Sequence, residues 1–280
     1  MPKARSRTRL DLTESVTVFL TTVGAPSFEP CLEHLHRQDC SFRLEVIDHV
    51  APISAAYQQM LDLCATDFFV ILDEDMLLYP RAIRALHERI SASETAVVGY
   101  VANLYDVHLR RCIHGLKIFR HRIVRSYPFY DVEGCDLDQV RRLEKDGLVV
   151  VREPQKGART SPATLGLHGA HWTRQSIYER YLTLERRRRR DSSILRWFGH
   201  YPERFLKSCL EDPCELNFFA LMGPIAAAWT YLDGSSQEKD YRRYDDLPGW
   251  KSLCAFYDEI SRHRESTLSS SRSDSTASSR

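Results

Sequence analysis

Apolar positions in the first hundred residues alternate between continuous runs and helical spacing. Continuous runs rich in β-branched and aromatic residues predict strands at 16–22, 68–72 and 96–101, and a less regular alternation that carries Leu44, Val46 and Ile47 predicts another at 43–49. Apolar residues at every third or fourth position predict helices at 28–38, 53–64 and 81–90. Strand and helix therefore alternate, which predicts an α/β fold with a mostly parallel sheet and helices on both faces.

The pattern changes in the second half of the chain. It predicts a basic strand at 116–127, a helix at 137–145, a short strand at 148–151, a Gly/Pro/Ser loop at 155–162, and long helices at 177–190, 193–197 and 202–232, the last broken at Pro213 and Pro224. We therefore predict four parts: a basic arm at 1–13, an α/β domain at 14–175, a helical C-terminal extension at 176–262 and a disordered tail at 263–280.

Three carboxylates, Asp73, Glu74 and Asp75, follow the buried strand at 68–72 without a gap. Adjacent carboxylates repel one another, so a cation is their natural partner, and Mg²⁺ or Mn²⁺ would bridge them to a diphosphate. Asp48 also ends a predicted strand, and ligands of parallel sheets bind beyond the carboxyl ends of the strands. A plain acidic turn before a helix opened by Pro80 is the alternative.

Composition narrows the class of protein. The 280 residues are 43% hydrophobic and 28% charged with a net charge of +1, which is typical of a soluble globular protein and does not favour nucleic acid as a partner. The eight cysteines form no C-x-x-C pair and no export signal is recognisable, so we expect reduced thiols and a cytoplasmic location. The arginine run 186–190 is typical of a solvated helix face, with nucleic acid or anionic lipid as the alternative. The apolar segment 216–232 is typical of a core or interface, with a peripheral membrane contact as the alternative.

Four segments together resemble glycosyltransferase family 2, whose members have the GT-A fold (a Rossmann-like α/β sheet) and use nucleotide-diphosphate sugars. They are the first strand and helix at 17–38, Val46-Ile47-Asp48, Leu72-Asp73-Glu74-Asp75 with Pro80, and the acidic segment 133–137. The resemblance spans about residues 16–182. It implies a transfer of sugar to an acceptor hydroxyl, with inversion at the anomeric carbon.

The resemblance also implies roles for single residues. Thr21, Thr22, Asp48 and Asp73 would bind the nucleotide of the donor. A Mn²⁺ or Mg²⁺ ion would be held by Asp73 and Asp75, and either His168 or His171 would complete its ligands.

The general base is where the sequence departs from the family. Gly134 stands where the family usually has the aspartate that follows Glu133, so either Asp136 or Glu133 could accept the proton. Both could instead merely cap the helix at 137–145. We favour Asp136, because a carboxylate fixed at a helix start is well positioned.

Two other functions remain open at this stage. A nucleotide-sugar-binding protein that has lost its base would keep the same pocket. A nucleotidyltransferase would need a basic, glycine-rich loop after the first strand, and residues 23–27 have one glycine and no basic residue. The acceptor (glycan, lipid-linked, protein or small molecule), the sugar and the base are not encoded in a recognisable pattern.

Overall fold

A computed structural model describes residues 9–132, 134–155, 164–190, 201–230 and 249–277. The chain divides into two compact units, Met1–Lys239 and Asp240–Arg280. The predicted boundaries at 13, 175 and 262 stay predictions.

The strands alternate with helices through the first unit. The strands are β1 Leu10–Asp11, β2 Val16–Thr22, β3 Cys40–Ser41, β4 Arg43–Asp48, β5 Phe68–Asp73, β6 Met76–Leu78, β7 Val97–Asp106, β8 Arg111–Arg120, β9 Val149–Arg152 and β10 Gly166–His168. The described helices are α1 Phe28–His36, α2 Ile53–Leu63, α3 Ala82–Ser91, α4 His121–Val124, α5 Cys135–Lys145, α6 Arg174–Arg190, α7 Tyr201–Glu211, α8 Glu215–Thr230 and, in the second unit, α9 Trp250–Ala277.

Eight strands form the central sheet, in the order β4-β2-β5-β8-β7-β10-β6, with β9 paired to β7. Strands β2, β4 and β5 are mutually parallel, and β7, β9 and β10 run in the same direction. Strands β8 and β6 are antiparallel to their neighbours. The predicted fold class, a mostly parallel sheet in an α/β protein with a helical C-terminal part, is therefore confirmed.

Both faces of the sheet are covered. Val18 and Val70 belong to one hydrophobic cluster, and Phe19, Phe69 and Ile71 belong to another. Alternate residues of one strand point to opposite faces, so strands buried on both sides must be apolar at successive positions. This burial explains why the continuous runs in the sequence marked these strands correctly.

The predicted basic strand at 116–127 is wrong in its second part. Strand β8 ends at Arg120, and the chain turns into the short helix α4. The Arg120 side chain donates hydrogen bonds to the carbonyls of Ile90 and Val97, and the backbone N–H of His121 bonds to the carbonyl of Asp67. The bond between His121 and Asp67 continues the antiparallel β5–β8 register by one residue, and strand pairing ends there because the chain enters α4.

Three features of the helical part differ from the sequence pattern or lie outside the described residues. Pro224 lies inside α8 and does not end it, whereas Pro213 does separate α7 from α8. Helix α9 continues to Ala277, across most of the predicted disordered tail. The loop residues 156–162 and the predicted helix at 193–197 lie outside the described residues.

Helices α6 and α8 approach each other closely at Gly223. A Cβ atom at this position would lie 2.4 Å from the carbonyl oxygen of Tyr178 on α6, closer than real Cβ contacts come. Glycine is therefore required sterically for this approach. The described part of the predicted apolar segment, residues 216–230, thus packs against α6, with Phe219 and Ala227 fully buried.

Across the part of the chain that the structure describes, none of the helices combines the length and apolar character that crossing a membrane requires. The cytoplasmic location and the peripheral membrane contact stay predictions.

Candidate active site

The predicted donor-binding residues lie side by side at one edge of the sheet. In the parallel ladders, Thr22 pairs with Asp48 and Thr21 pairs with Asp73, so the carboxyl ends of β2, β4 and β5 meet there. The Asp48 side chain is 64% exposed and contacts the ring of His49. An exposed carboxylate at such an edge is available to a ligand in the crevice.

Asp73 faces the cluster that contains α2. Its Oδ1 atom accepts hydrogen bonds from Thr21 Oγ1 at 2.7 Å and from the Tyr57 hydroxyl at 3.2 Å. Burial and the nearby charge of Asp73 raise the pKa of Tyr57, so its phenol stays a donor. Asp73 is thus oriented by two neutral hydroxyl groups.

Glu74, which sequence reasoning grouped with the two aspartates as a partner of a cation, is instead held by groups of the protein itself. Its carboxylate is buried and accepts hydrogen bonds from Thr22 Oγ1 at 2.5 Å, Val23 N at 3.1 Å and Ala25 N at 3.0 Å. The backbone N–H of Gly24 donates to Thr22 Oγ1 at 3.0 Å. Glu74 therefore fixes the loop after β2, next to the predicted donor site.

Asp75 and His168 are brought together although 93 positions separate them in the chain. His168 pairs with Met76 across the antiparallel β10–β6 ladder and with Asp106 across the parallel β10–β7 ladder. The distance from His168 Nε2 to Asp75 Oδ2 is 3.4 Å, and the distance from His168 Nδ1 to Asp106 Oδ2 is 2.8 Å. Asp75, His168 and Asp106 thus form a row of three side chains in which the imidazole lies between two carboxylates.

The chemistry of these three side chains suits a metal site in which Asp75 and His168 are the ligands and Asp106 supports His168. Asp106 is buried and also accepts the N–H of Leu109. Burial alone would raise the pKa of Asp106, but the hydrogen bonds from His168 and from the Leu109 N–H, together with nearby positive charge, outweigh burial and lower it. An ionised Asp106 can only accept, so His168 Nδ1 carries the proton and, in a neutral ring, Nε2 turns its lone pair towards Asp75. A divalent cation between these two acceptors satisfies both.

No three described His, Cys, Asp or Glu side chains are grouped so as to hold an ion alone. Ions such as Mg²⁺ are commonly bound through one or two carboxylates together with substrate phosphates, so two protein ligands suit a site that a diphosphate completes. Asp75 and His168 have the right chemistry for this. His171, by contrast, lies exposed in the turn after β10.

Two further groups contact the same oxygen of Asp75. Trp172 Nε1 donates to Asp75 Oδ2 at 3.2 Å, and Arg180 Nη1 lies 3.3 Å from it. The Arg180 guanidinium also stacks over the Trp172 ring, with its carbon 4.8 Å from the ring centroid. Burial alone would lower the pKa of Arg180, but the charge of Asp75 outweighs it, so the guanidinium stays charged.

Asp136 lies in the first turn of α5 and forms an ion pair with Lys117 on β8, with 2.8 Å between Oδ2 and Nζ. Burial alone would raise the pKa of Asp136, but Lys117 outweighs it and lowers the pKa. Lys117 itself is buried, and its pKa is raised because Asp136 and, more weakly, Asp73 outweigh the effect of burial. A charged Lys117 therefore interacts with two carboxylates, directly with Asp136 on α5 and more weakly with Asp73, one of the predicted donor-binding residues.

The backbone conformation explains why glycine stands at position 134, where the resemblance leads one to expect aspartate. Its φ of 63° lies in the left-handed region, which glycine adopts without strain, and it precedes the first residue of α5. Glu133, the other predicted base, lies outside the described residues.

Sequence reasoning did not single out four residues of this site: Tyr57, Asp106, Lys117 and Arg180. Tyr57, Asp106 and Arg180 have no local signal that distinguishes them from solvated or buried structural residues. Lys117 is one of several basic residues in the predicted basic strand, and its partner could only be found from the fold.

Comparison with known proteins gives matches only among solved structures. No protein-family model matches the sequence, and a search of curated proteins gives no match either.

The similar structures include glycosyltransferases and a nucleotidyltransferase-type enzyme. A mannosyltransferase from Pyrobaculum calidifontis, in complex with GDP-Man and Mn²⁺, is 15% identical, with a TM-score of 0.47 over 91% of this chain and 85% of that one. Glucosyl-3-phosphoglycerate synthase from Mycobacterium tuberculosis, in complex with Mn²⁺ and UDP-Glc, is 14% identical, with a TM-score of 0.39 over 59% and 77%. A 4-diphosphocytidyl-2C-methyl-D-erythritol synthase from Anaerococcus prevotii is 6% identical, with a TM-score of 0.37 over 54% and 93%. Similarity at this level does not establish a family for the chain.

Proposed function

We propose that the protein is a metal-dependent glycosyltransferase that moves a sugar from a nucleotide-diphosphate sugar to an acceptor hydroxyl with inversion. The observation that carries the proposal is the meeting of Asp75 and His168, supported by Asp106, at the edge where β5 ends. A carboxylate and an imidazole nitrogen this close together can share a cation, and a cation bound by so few protein groups calls for an anionic substrate.

The nucleotide end of the donor would lie along β2 and β4. Exposed Asp48 would accept hydrogen bonds from the base or ribose, and Asp73, oriented by Thr21 and Tyr57, would contact the ribose. Thr22, fixed by Glu74, shapes the loop beneath the nucleotide.

The metal, Mn²⁺ or Mg²⁺, would be held by Asp75 and His168, and Asp73 would contact either the ribose or the ligand shell of the metal. When bound, such an ion neutralises the developing charge of the diphosphate leaving group. The role of His168 Nδ1 is to hold its proton against Asp106, so that Nε2 stays available as a ligand.

Asp136 would accept the proton of the acceptor hydroxyl. Lys117 keeps this carboxylate ionised and fixes its direction, at the cost of some basicity. In an inverting displacement the base takes the proton as the acceptor oxygen bonds to the anomeric carbon and the nucleoside diphosphate leaves. Glu133 is the alternative base, and Glu133→Gln should cost less turnover than Asp136→Asn.

The loop after β2 argues against a nucleotidyltransferase. The backbone N–H groups of Val23 and Ala25 donate to Glu74, and that of Gly24 donates to Thr22. These donors are therefore engaged within the protein and are not presented to a triphosphate, and a carboxylate lies where phosphate binding would need positive charge.

Calorimetry with UDP, GDP, ADP and CDP, each with and without Mn²⁺, tests the proposal. We expect one nucleotide to bind in a Mn²⁺-dependent way, and both Asp75→Asn and His168→Ala to abolish that dependence. His171→Ala is the matched control, because it removes an exposed imidazole from the same turn and should leave affinity unchanged.

Hydrolysis of the matching nucleotide sugar then separates an enzyme from a binding protein. Mn²⁺-dependent release of the sugar supports the transferase, whereas tight binding without any turnover favours a nucleotide-sugar-binding protein. Equal binding by wild type and Asp75→Asn would contradict the metal site.

A further inference from the structure

Arg180 is a cation held within the group of residues proposed to bind the metal. It lies on α6, beyond the α/β domain predicted from the sequence, yet its Nη1 atom is 3.3 Å from Asp75 Oδ2. Its side chain is 26% exposed and is stacked on Trp172, which donates to the same oxygen. The guanidinium is therefore fixed in place beside the carboxylate.

Asp75 Oδ2 is consequently shared between two cation positions. On one side it faces Arg180, and on the other it faces the Nε2 atom of His168 at 3.4 Å. A divalent ion bound between Asp75 and His168 would repel a guanidinium that contacts the same oxygen, because like charges a few ångströms apart in a partly buried site interact strongly. Metal binding and the Arg180–Asp75 contact therefore oppose each other.

Arg180 also has an unused donor. Its Nε atom is buried and has no hydrogen-bond partner among the described residues. A buried N–H without an acceptor is unfavourable, and an arginine presents Nε and Nη as a planar fork that matches two oxygens of one phosphate. The missing partner is thus an anion with several acceptor oxygens, placed beside Asp75.

We propose that Arg180 is a diphosphate-binding residue that forms an ion pair with Asp75 in the metal-free protein. When the metal binds Asp75, the guanidinium transfers its hydrogen bonds to the diphosphate that arrives with the metal. This inference rests on the proposed metal site, and it adds a residue from the helical part to that site. It also makes metal and diphosphate binding mutually dependent. The metal frees the guanidinium from Asp75 for the diphosphate, and the diphosphate takes up the guanidinium that would otherwise repel the metal.

Mn²⁺ alone, and Mn²⁺ with inorganic pyrophosphate, are the probes, because pyrophosphate supplies the diphosphate without a base or sugar. Calorimetry on Arg180→Gln should show Mn²⁺ alone binding about tenfold tighter than to wild type, and pyrophosphate with Mn²⁺ binding about tenfold weaker. These changes have opposite signs, whereas a misfolded site would weaken both.

Two variants make the test specific. Arg174→Gln removes the same charge from the same helix, where Arg174 pairs with Glu215, and should change neither affinity. Arg180→Lys keeps the charge but loses the fork, so we expect Mn²⁺ affinity near that of wild type and weakened pyrophosphate binding.

Failure of this inference can be told apart from failure of the proposed function. If Asp75→Asn abolishes Mn²⁺ binding but Arg180→Gln fails to shift either affinity in the stated direction, Arg180 does not have this role and the metal site stands. If wild type and Arg180→Gln both bind no Mn²⁺, with or without pyrophosphate, the metal site is wrong and this inference is wrong with it.

Discussion

Glu74→Ala is the substitution whose effect can be worked out most directly from the structure. It removes the acceptor of two backbone N–H groups, those of Val23 and Ala25, and of the Thr22 hydroxyl. Each buried donor left without a partner costs about 1–3 kcal/mol, while losing the penalty for burying a carboxylate returns part of this, so we expect a net loss of about 3 kcal/mol. For a unit of this size that lowers Tm by roughly 6–12 °C.

Urea or thermal unfolding followed by circular dichroism measures this loss. Glu74→Gln should cost less than Glu74→Ala, because the amide oxygen can still accept one N–H. Glu88→Ala is the matched control, since Glu88 is half exposed and pairs with Arg84 on the surface of α3. Hydrogen exchange at Val23 and Ala25 should accelerate in Glu74→Ala only. A midpoint equal to that of Glu88→Ala would refute the role of Glu74 in holding the loop.

Three further predictions concern the chemistry. Lys117→Met should raise the pKa of Asp136 towards and above its ordinary value, so the acid limb of the pH profile of kcat/KM should move to higher pH; an unmoved limb contradicts the pairing. Asp136→Asn should lower turnover about 10²-fold with donor affinity nearly unchanged, whereas Asp138→Asn, in the same helical turn, should not; equal rates would remove Asp136 as the base. Asp106→Asn should weaken Mn²⁺ binding about 10–100-fold in calorimetry, because His168 loses its proton acceptor; wild-type affinity would contradict that support.

The sequence predicted best those features that depend on neighbouring residues. The run 16–22 coincides with β2 because β-branched and apolar residues occupy every position of a strand that is buried on both faces. The end of β8 was missed because Arg120 and His121 bond to carbonyls 23 or more positions away, which no local pattern records.

The same reasoning applies to the site. Asp73 and Asp75 were recognisable because they follow a buried strand directly. The choice between His168 and His171 needed the register of β10 against β6, which sets His168 opposite Met76 and so beside Asp75. Lys117 and Arg180 reach the site through strand pairing and helix packing, which are long-range properties of the fold.

The close contact between α8 and α6 at Gly223 affects whether the C-terminal helices can be exchanged independently of the sheet. Tyr178, which the approach constrains, is two positions before Arg180. Exchanging the helices after residue 175 for those of another protein, or cutting the chain there, would therefore remove the cation that contacts Asp75. The proposed active site extends beyond the sheet, so α6 and α8 would have to be transferred together.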